Sequence, residues 1–348
     1  MPQIRLCSFN VEWMNDWFVS GSGPAAFKPQ FKEKNGTYLN NTDTTAKRTA
    51  AVIRAIDPDI LAVQEGPSRQ SELELFVAQY LKDNNGNPLY NVLLGDTGAA
   101  QKLGLLYKPG SVTSAGLAPH NTIAGLIDEW MSDVDGDAEL ELYHFTRTPL
   151  VVNVTFGART LQIIVSHTKS NFINNGESMW KNPAQRPAYI HTALEDRRRI
   201  STEAMRIRAY VDSVLAATPG ANMVVLGDMN DGPGLDYFEK NYLTHNVIDI
   251  LFGSQFKPDW TFRHAQHDVV ETDRYTAVFD DFVEEIVAKR MLLDHIMLSP
   301  GLTAGGLRKV SGSGAVHHAE YSAQVVNNGA HREDRPSDHR PVSVVLQY

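Results

Sequence analysis

A carboxylate and a carboxamide, Asp228 and Asn230, follow an apolar run at residues 223–226 and are separated by a single residue. The run predicts a short strand that is buried on both faces, and Gly227 permits a tight exit from it. Because residues i and i+2 of a strand point the same way, the two side chains are predicted to converge. Such a pair suits a hard cation, or a phosphate that a cation has neutralised. The alternative interpretation of residues 228–234 is a simple turn after a core strand.

Polar residues also stand at the ends of several other predicted strands, or inside them. The positions with side chains suited to chemistry are Asn10, Glu65, His167 with Lys169, Asp228 with Asn230, Asp294 with His295, and Asp338 with His339. Polar groups at many strand ends can gather on one rim of a sheet stack, which is the usual place for a site. The set holds carboxylates, carboxamides, imidazoles and a lysine, without a cysteine nucleophile, a glycine-rich phosphate loop or a serine elbow motif. It therefore favours Mg²⁺ or Mn²⁺ over structural zinc.

Six short motifs that contain these residues follow one another along the chain. They are Ser8-Phe9-Asn10, Val63-Gln64-Glu65, Ser166-His167-Thr168-Lys169-Ser170, Leu226-Gly227-Asp228-Met229-Asn230, Leu293-Asp294-His295-Ile296 and Ser337-Asp338-His339-Arg340-Pro341-Val342. In this order the motifs resemble the endonuclease/exonuclease/phosphatase superfamily, relatives of pancreatic-type deoxyribonuclease and of the exonuclease III-type repair enzymes. The resemblance runs from about residue 4 to residue 346. It implies a DNase I-like α/β fold, a four-layer α/β/β/α sandwich of two mainly antiparallel sheets with helices outside.

The resemblance further implies a divalent-cation site. Glu65 would be the main ligand of Mg²⁺ (or Mn²⁺), with Asn10 beside it and Asp338 completing the metal shell. The chemistry implied is attack of water on a phosphodiester, which requires charge neutralisation and a deprotonated, in-line water.

Catalytic roles come from the same resemblance. His339 would pair with Asp294, which fixes its tautomer and raises its basicity, so that it acts as a general base or as a donor to the transition state. Asp228 and Asn230 would orient the attacking water and a phosphoryl oxygen. His167 suits a leaving-group acid or a phosphate contact. Either His339 or Asp228 fits the role of base, and the pattern is compatible with one or two metal ions.

Two cationic residues are candidates for binding the substrate. Arg147 matches the family's arginine before a strand and would grip phosphate. Lys169 is interpreted either as a phosphate contact or as a solvated loop charge. His295 is predicted to point to the face opposite Asp294 and to be structural.

The composition is that of a globular protein, with 348 residues, 42% apolar and 21% charged. No linker divides the chain, so a single domain over residues 1–348 is predicted, with inserts at about 14–46 and 170–190. No run approaches the roughly 18–20 apolar residues of a membrane span. A lone cysteine, Cys7, and the absence of a secretory signal favour a cytoplasmic setting. The sequence carries no signal for an oligomeric state.

Elements between the motifs follow from periodicity. Residues 44–56 and 197–217 are predicted to be helices, and residues 143–156 are predicted to be a strand. The acidic segment 133–141 superficially resembles a calcium loop but lacks the downstream spacing of an EF-hand, so a solvated turn is predicted.

Three functions fit these residues. The first is a divalent-metal-dependent phosphodiesterase acting on nucleic acid, a nuclease. The second is a hydrolase of a small or lipid-derived phosphoester, favoured by the formal charge of −9, which is a poor footprint for binding long polyanions. The third is a non-catalytic binding module, against which the complete set of acid, amide and histidine positions argues.

Overall fold

Two β-sheets packed face to face form the centre of the computed structural model, which describes residues 1–34 and 36–348. The strands are β1 (Gln3–Asn10), β2 (Gln30–Lys32), β3 (Leu39–Asn41), β4 (Ile60–Gly66), β5 (Asn91–Leu94), β6 (Lys102–Tyr107), β7 (Ser114–Leu117), β8 (Trp130–Ser132), β9 (Glu141–Tyr143), β10 (Leu150–Phe156), β11 (Arg159–His167), β12 (Met223–Asp228), β13 (Arg263–His264), β14 (Ala277–Asp281), β15 (Ile286–Met291), β16 (Asp294–Leu298), β17 (Arg308–Lys309), β18 (Ala315–Val316) and β19 (Val342–Gln347). The α-helices are α1 (Thr42–Ile56), α2 (Gln70–Tyr80), α3 (His120–Ile127), α4 (Gly176–Lys181), α5 (Arg186–Ala217), α6 (Val247–Phe252), α7 (Gly301–Ala304) and α8 (His318–Ser322). Shorter helical segments are the 3-10 turns Met14–Trp17, Pro258–Trp260, Ala265–Asp268, Glu271–Asp273, Asn327–Gly329 and Arg332–Asp334 and the π-turn Glu239–Leu243.

The order of strands places both ends of the chain in one sheet. The first sheet runs β17-β19-β1-β4-β6-β5, with β18 also paired to β19, and the second runs β13-β16-β12-β11-β10-β7. β1 pairs with β4 in parallel and β11 pairs with β12 in parallel, whereas the other pairings of these two sheets in the described chain are antiparallel. The first and last strands, β1 and β19, are therefore neighbours in one sheet, and the single domain stays a prediction.

Each sheet is buried on both faces. Along β12, Val224 and Leu226 face the core between the sheets, whereas Val225 faces α5 on the other side. The helices α1 and α2 cover the outer face of the first sheet, and α3, α5 and α6 cover the outer face of the second. Because both faces of these strands are buried, their sequences are continuous apolar runs. The predicted four-layer α/β/β/α sandwich is confirmed.

Several predicted element boundaries were wrong. The helix predicted at 197–217 begins at Arg186, because Pro187 fits the first helical turn and the first turns pack on an aromatic cluster around Tyr189 and Phe238 instead of on the sheet. The strand predicted at 143–156 is broken before Leu150, where Pro149 precedes β10, and its first residue, Tyr143, ends β9, which pairs with β8.

The insert predicted at about 14–46 contains regular secondary structure. It contains the β2–β3 hairpin and the first residues of α1, and it buries Trp17 and Phe18 against the first sheet. In the described part of the chain, no helix is both long enough and apolar enough to cross a membrane.

Candidate active site

Strand direction explains why the predicted residues meet. Asn10 ends β1 and Glu65 is the penultimate residue of β4, and these two strands are parallel neighbours. In the second sheet, His167 ends β11 opposite Asp228, which ends β12. β16 runs antiparallel to β12 and therefore starts at the same edge, with Asp294 opposite Asp228. The strand ends of both sheets thus deliver their polar side chains to one rim.

Left-handed backbone conformations aim several of these side chains. Glu65 has φ 56°, Asn230 has φ 50°, and Glu12 and Trp13, just beyond β1, have φ 51° and 55°. Residues other than glycine rarely adopt this region, and such conformations cluster at functional sites. At Trp13 the turn points the backbone N–H at Glu65 Oε2, 2.9 Å away.

The side chain of Asn10 joins the two sheets. Its Nδ2 donates to Glu65 Oε1 at 3.2 Å and to Asp228 Oδ2 at 2.9 Å. Its Oδ1 accepts the N–H of Glu12 at 3.0 Å. In this orientation Asn10 presents its amide hydrogens to the two carboxylates and its oxygen to the backbone.

Asp228 lies at the centre of the group. Its Oδ1 accepts the N–H of Asn230 at 2.9 Å. Its Oδ2 is 3.5 Å from Nε2 of His167 and 3.7 Å from Nε2 of His339. The side chain of Asn230 donates to the carbonyl oxygen of Thr168, and so holds the loop after β11 rather than the centre itself.

The two histidines have opposite electrostatic environments. Burial on its own would lower the pKa of His339, but the carboxylates of Asp294 and Asp228 outweigh it and hold that pKa well above its ordinary value. Burial and the charge of Arg147 lower the pKa of His167 to about 3. The carboxylates around His339 therefore favour its charged form, whereas burial and Arg147 favour the neutral form of His167.

Two acidic side chains carry the features of a cation site. Burial, together with the Asp338 carboxylate, raises the pKa of Glu65 to about 7. Burial and the carboxylate of Glu12 raise the pKa of Asp338 to about 6, and Asp338 keeps 31% of its side chain exposed. The charges of His339, Arg332 and Arg335 offset this effect only in part, and a divalent cation would supply further positive charge to the two carboxylates. The donor set of Glu65 and Asp338 fits Mg²⁺ or Mn²⁺.

Two clusters of side chains in the described part of the chain have ligand atoms close enough together to hold an ion. Asp228, Asp294 and His339 form a buried one inside the site. The other is an exposed group, Asp133, Asp135, Asp137 and Glu141, in the segment predicted to be a solvated turn, where Asp133 accepts backbone N–H groups of its own loop.

The predicted substrate-binding cations are placed differently from each other. Arg147 donates from Nη1 to Thr168 O at 3.1 Å and from Nη2 to Gln101 Oε1 at 3.2 Å. Gln101 in turn donates to Glu65 Oε2 at 2.6 Å, so that Arg147 supports the acidic residue through an amide. The ammonium of Lys169 lies 3.0 Å from Asp196 on α5 and does not join the group.

Sequence reasoning did not single out Glu203 or Thr276, which hold the site from outside. Glu203, on α5, is fully buried and accepts the N–H groups of Thr146 and Lys169, beside the two predicted cations. A carboxylate at 203 within the apolar stripe 200, 204 and 207 was an available signal. Thr276 Oγ1 accepts the N–H groups of Leu293 and Asp294, and no local pattern marks it.

His295 lies on the face opposite Asp294, as predicted. Its Nε2 donates to the carbonyl oxygen of Asp231 at 2.8 Å, and its Nδ1 lies 2.7 Å from Nε2 of His264. Burial lowers the pKa of His295 to about 4. Its role is to hold the turn that follows Asp228.

Asp338 lines two cavities, of about 320 and 580 Å³, which share part of their walls. Both are lined by Phe279, Arg335 and Asp338. The smaller cavity also contains Trp13 with Lys34 stacked over its ring, and the larger contains Arg340. The partly exposed carboxylate of Asp338 is thus the part of the site that borders both cavities.

The family profile described as Endonuclease/Exonuclease/phosphatase family matches residues 7–339. A truncated TDP2 from Caenorhabditis elegans shares the fold with a TM-score of 0.53 at 13% identity, over 99% of this chain and 98% of that one. A humanized TDP2 from D. rerio gives 0.52 at 13% identity, over 99% of both chains. The human nocturnin catalytic domain with a bound sulfate anion gives 0.52 at 12% identity, over 99% of this chain and 94% of that one.

A comparison with curated protein sequences gives no match. The profile match nevertheless spans most of the chain, and the resemblance found in the motifs is confirmed. The chain belongs to the Endonuclease/Exonuclease/phosphatase family, whose members are hydrolases that act on phosphoesters.

Proposed function

We propose that the protein is a divalent-metal-dependent phosphodiester hydrolase that acts on nucleic acid. The observation that carries the proposal is the bridge made by Asn10 between Glu65 and Asp228, because it brings the acidic residue of one sheet beside the acid and histidines of the other. Attack on a phosphodiester needs a cation, an oriented water and a proton donor in one place.

The proposed ligands of Mg²⁺ or Mn²⁺ are Glu65 and Asp338. The raised pKa values of both carboxyl groups support this assignment. Asn10 remains a candidate ligand, and in the present orientation it holds Glu65 by donating to it. When bound, the cation neutralises the charge of the phosphate and activates water.

Each remaining residue has a proposed task that its hydrogen bonds support. Asp228, with one oxygen held by the N–H of Asn230, orients the attacking water. His339, with Nδ1 held by Asp294, directs Nε2 into the site and donates to the developing charge on a phosphoryl oxygen. His167, neutral at its pKa of about 3, contacts the phosphate.

The two cavities that Asp338 lines leave room beside the site for more of a substrate than the reacting phosphate. The second candidate is a hydrolase of a small or lipid-derived phosphoester, which the formal charge of −9 favours.

The test uses bis-(p-nitrophenyl) phosphate, plasmid DNA and RNA with Mg²⁺ or Mn²⁺. The wild type should cleave the ester and a nucleic acid, and Glu65→Ala and His339→Ala should each abolish both activities. Asp259→Asn, which changes an exposed carboxylate, is the matched control. Cleavage restricted to small esters would support the second candidate, and no turnover with any divalent metal would indicate a non-catalytic binding module.

A further inference from the structure

Arg340 lies between two aromatic rings. Its guanidinium carbon is 4.8 Å from the ring centre of Tyr275 and 4.7 Å from that of Tyr321. Stacking of this kind stabilises a cation and fixes the plane in which its N–H groups point. The hydroxyl of Tyr321 donates to the carbonyl oxygen of Ser337, so this ring is itself fixed against the loop that carries Asp338.

The charge of Arg340 has little compensation from the protein. No carboxylate lies within salt-bridge distance of it among residues 1–34 and 36–348. Its Nη1 has one long contact, 3.5 Å to the carbonyl oxygen of Thr276, and its Nε is buried without a hydrogen-bond partner. A half-buried guanidinium with unused donors is unfavourable unless an anion completes it.

Arg335 lines the same cavity, but each of its three guanidinium nitrogens already donates to a protein oxygen. Its Nη2 and Nε donate to the carboxylate of Glu12 at 2.6 and 3.2 Å, and its Nη1 donates to Gly329 O at 3.0 Å. Arg335 therefore adds positive potential to the cavity, whereas Arg340 has N–H groups to offer.

The position of Arg340 relative to the proposed reaction centre is fixed by backbone pairing. Its N–H donates to Thr276 O at 2.8 Å, and the preceding residue, His339, pairs with Ala277. The cavity of about 580 Å³ that Arg340 lines also contains Asp338, a proposed metal ligand. An anion bound by Arg340 would thus lie next to the reacting phosphate.

We infer that Arg340 and its cavity form a second phosphate site, which takes the neighbouring linkage of a polynucleotide strand. The inference rests on the proposed function and names its substrate class. A diester with one phosphate leaves Arg340 uncompensated, whereas a strand places a charge at each linkage. Phe279, which lines both cavities and is 39% exposed, offers an aromatic surface to the nucleoside between the two phosphates.

The test compares three substrates, of which the two trinucleotides differ only in the flanking linkage. They are a dinucleoside monophosphate, a trinucleotide with two phosphodiester linkages, and the same trinucleotide with a neutral methylphosphonate at the flanking linkage. The wild type should prefer the charged trinucleotide by about 10-fold or more in kcat/KM, the range for a charge-assisted hydrogen bond. The methylphosphonate should remove that preference, which tests the site without altering the protein.

Variants at Arg340 then test whether this residue causes the preference for the charged trinucleotide. The ratio to measure is kcat/KM for the charged trinucleotide divided by kcat/KM for its methylphosphonate analogue. Arg340→Met keeps the apolar stem and should bring this ratio close to one, whereas Arg340→Lys should retain part of the preference. Arg263→Met, at an exposed position on β13, is the matched control and should keep the wild-type ratio. An unchanged ratio in Arg340→Met, or a wild type indifferent to the methylphosphonate, would overturn the inference.

The alternative ligand for the second phosphate site is a small bisphosphate, for which inositol 1,4-bisphosphate is the probe. Inhibition by it that depends on Arg340, without any preference for the charged trinucleotide, would overturn the assignment to a polynucleotide. Turnover of the dinucleoside monophosphate without a preference refutes only the second site, whereas the absence of turnover of any diester with Mg²⁺ or Mn²⁺ refutes the proposed function as well.

Discussion

Nδ1 of His339 lies 2.6 Å from Oδ2 of Asp294, and both side chains are buried. The carboxylate comes from the start of β16 in the second sheet, and the imidazole comes from the loop before β19 in the first. Because Nδ1 is committed to Asp294, Nε2 is the nitrogen that faces Asp228. The pair therefore sets the orientation of His339 and raises its pKa.

Asp294→Asn should remove this control. Without the carboxylate, the pKa of His339 falls, so the limb of the pH–rate profile that reports His339 should move to lower pH. We expect kcat to fall by about 10²–10⁴-fold, the usual contribution of a positioned proton-transfer group. The profile is measured on bis-(p-nitrophenyl) phosphate, with Asp259→Asn as the exposed control; an unshifted profile would argue against coupling of the pair.

Thr276 should position the same pair through the backbone. Its Oγ1 accepts the N–H groups of Leu293 at 3.0 Å and of Asp294 at 3.1 Å. Thr276→Val leaves both donors buried without a partner, and the free energy of unfolding should fall by about 2–4 kcal/mol. The value of kcat should fall while KM changes little, and Thr276→Ser should restore both properties. Thr272→Val, at an exposed position, is the control; equal loss in the Val and Ser variants would contradict this role.

Removal of the metal should inactivate the protein, and stabilisation by added metal should depend on Glu65. EDTA should abolish turnover, and added Mg²⁺ or Mn²⁺ should restore it and raise the melting temperature, because a ligand that binds the native state stabilises it. In Glu65→Gln the metal-dependent rise in melting temperature should disappear. Glu129→Gln, which changes an exposed carboxylate, should retain it. A rise of wild-type size in Glu65→Gln would rule out Glu65 as a ligand.

Acid should destabilise the protein in part through His295. Its pKa of about 4 in the folded state lies below the ordinary value of 6.5, so between these pH values the unfolded chain binds a proton that the folded chain does not. The stability contributed is therefore present above pH 6.5 and is lost as the pH falls towards 4. Between pH 7 and pH 5 this loss amounts to about 2 kcal/mol.

Urea unfolding at both pH values measures this contribution. His295→Asn should lose less stability than the wild type between pH 7 and pH 5, whereas His191→Asn, at an exposed position on α5, should lose as much as the wild type. An identical loss in His295→Asn and the wild type would show that His295 does not carry the effect.

The amino-acid sequence by itself determined the strands and the residues that end them. Apolar runs such as 223–226 are local, and a strand buried on both faces needs nothing beyond such a run. The order of the six motifs was sufficient to predict the family and the four-layer sandwich. Helix and strand boundaries were less accurate at Arg186 and Leu150, where a proline and packing on an aromatic cluster decide the ends.

Only the tertiary structure decided how the strand ends face each other. The bridge from Asn10 to Asp228 joins residues 218 positions apart, and its donor orientation depends on a left-handed turn at Glu12. Gln101 and Thr276 support the site through contacts that no local pattern marks. The physical reason is that periodicity reports which face of an element is buried, whereas the hydrogen-bond partner of a polar group depends on which distant segment packs against it.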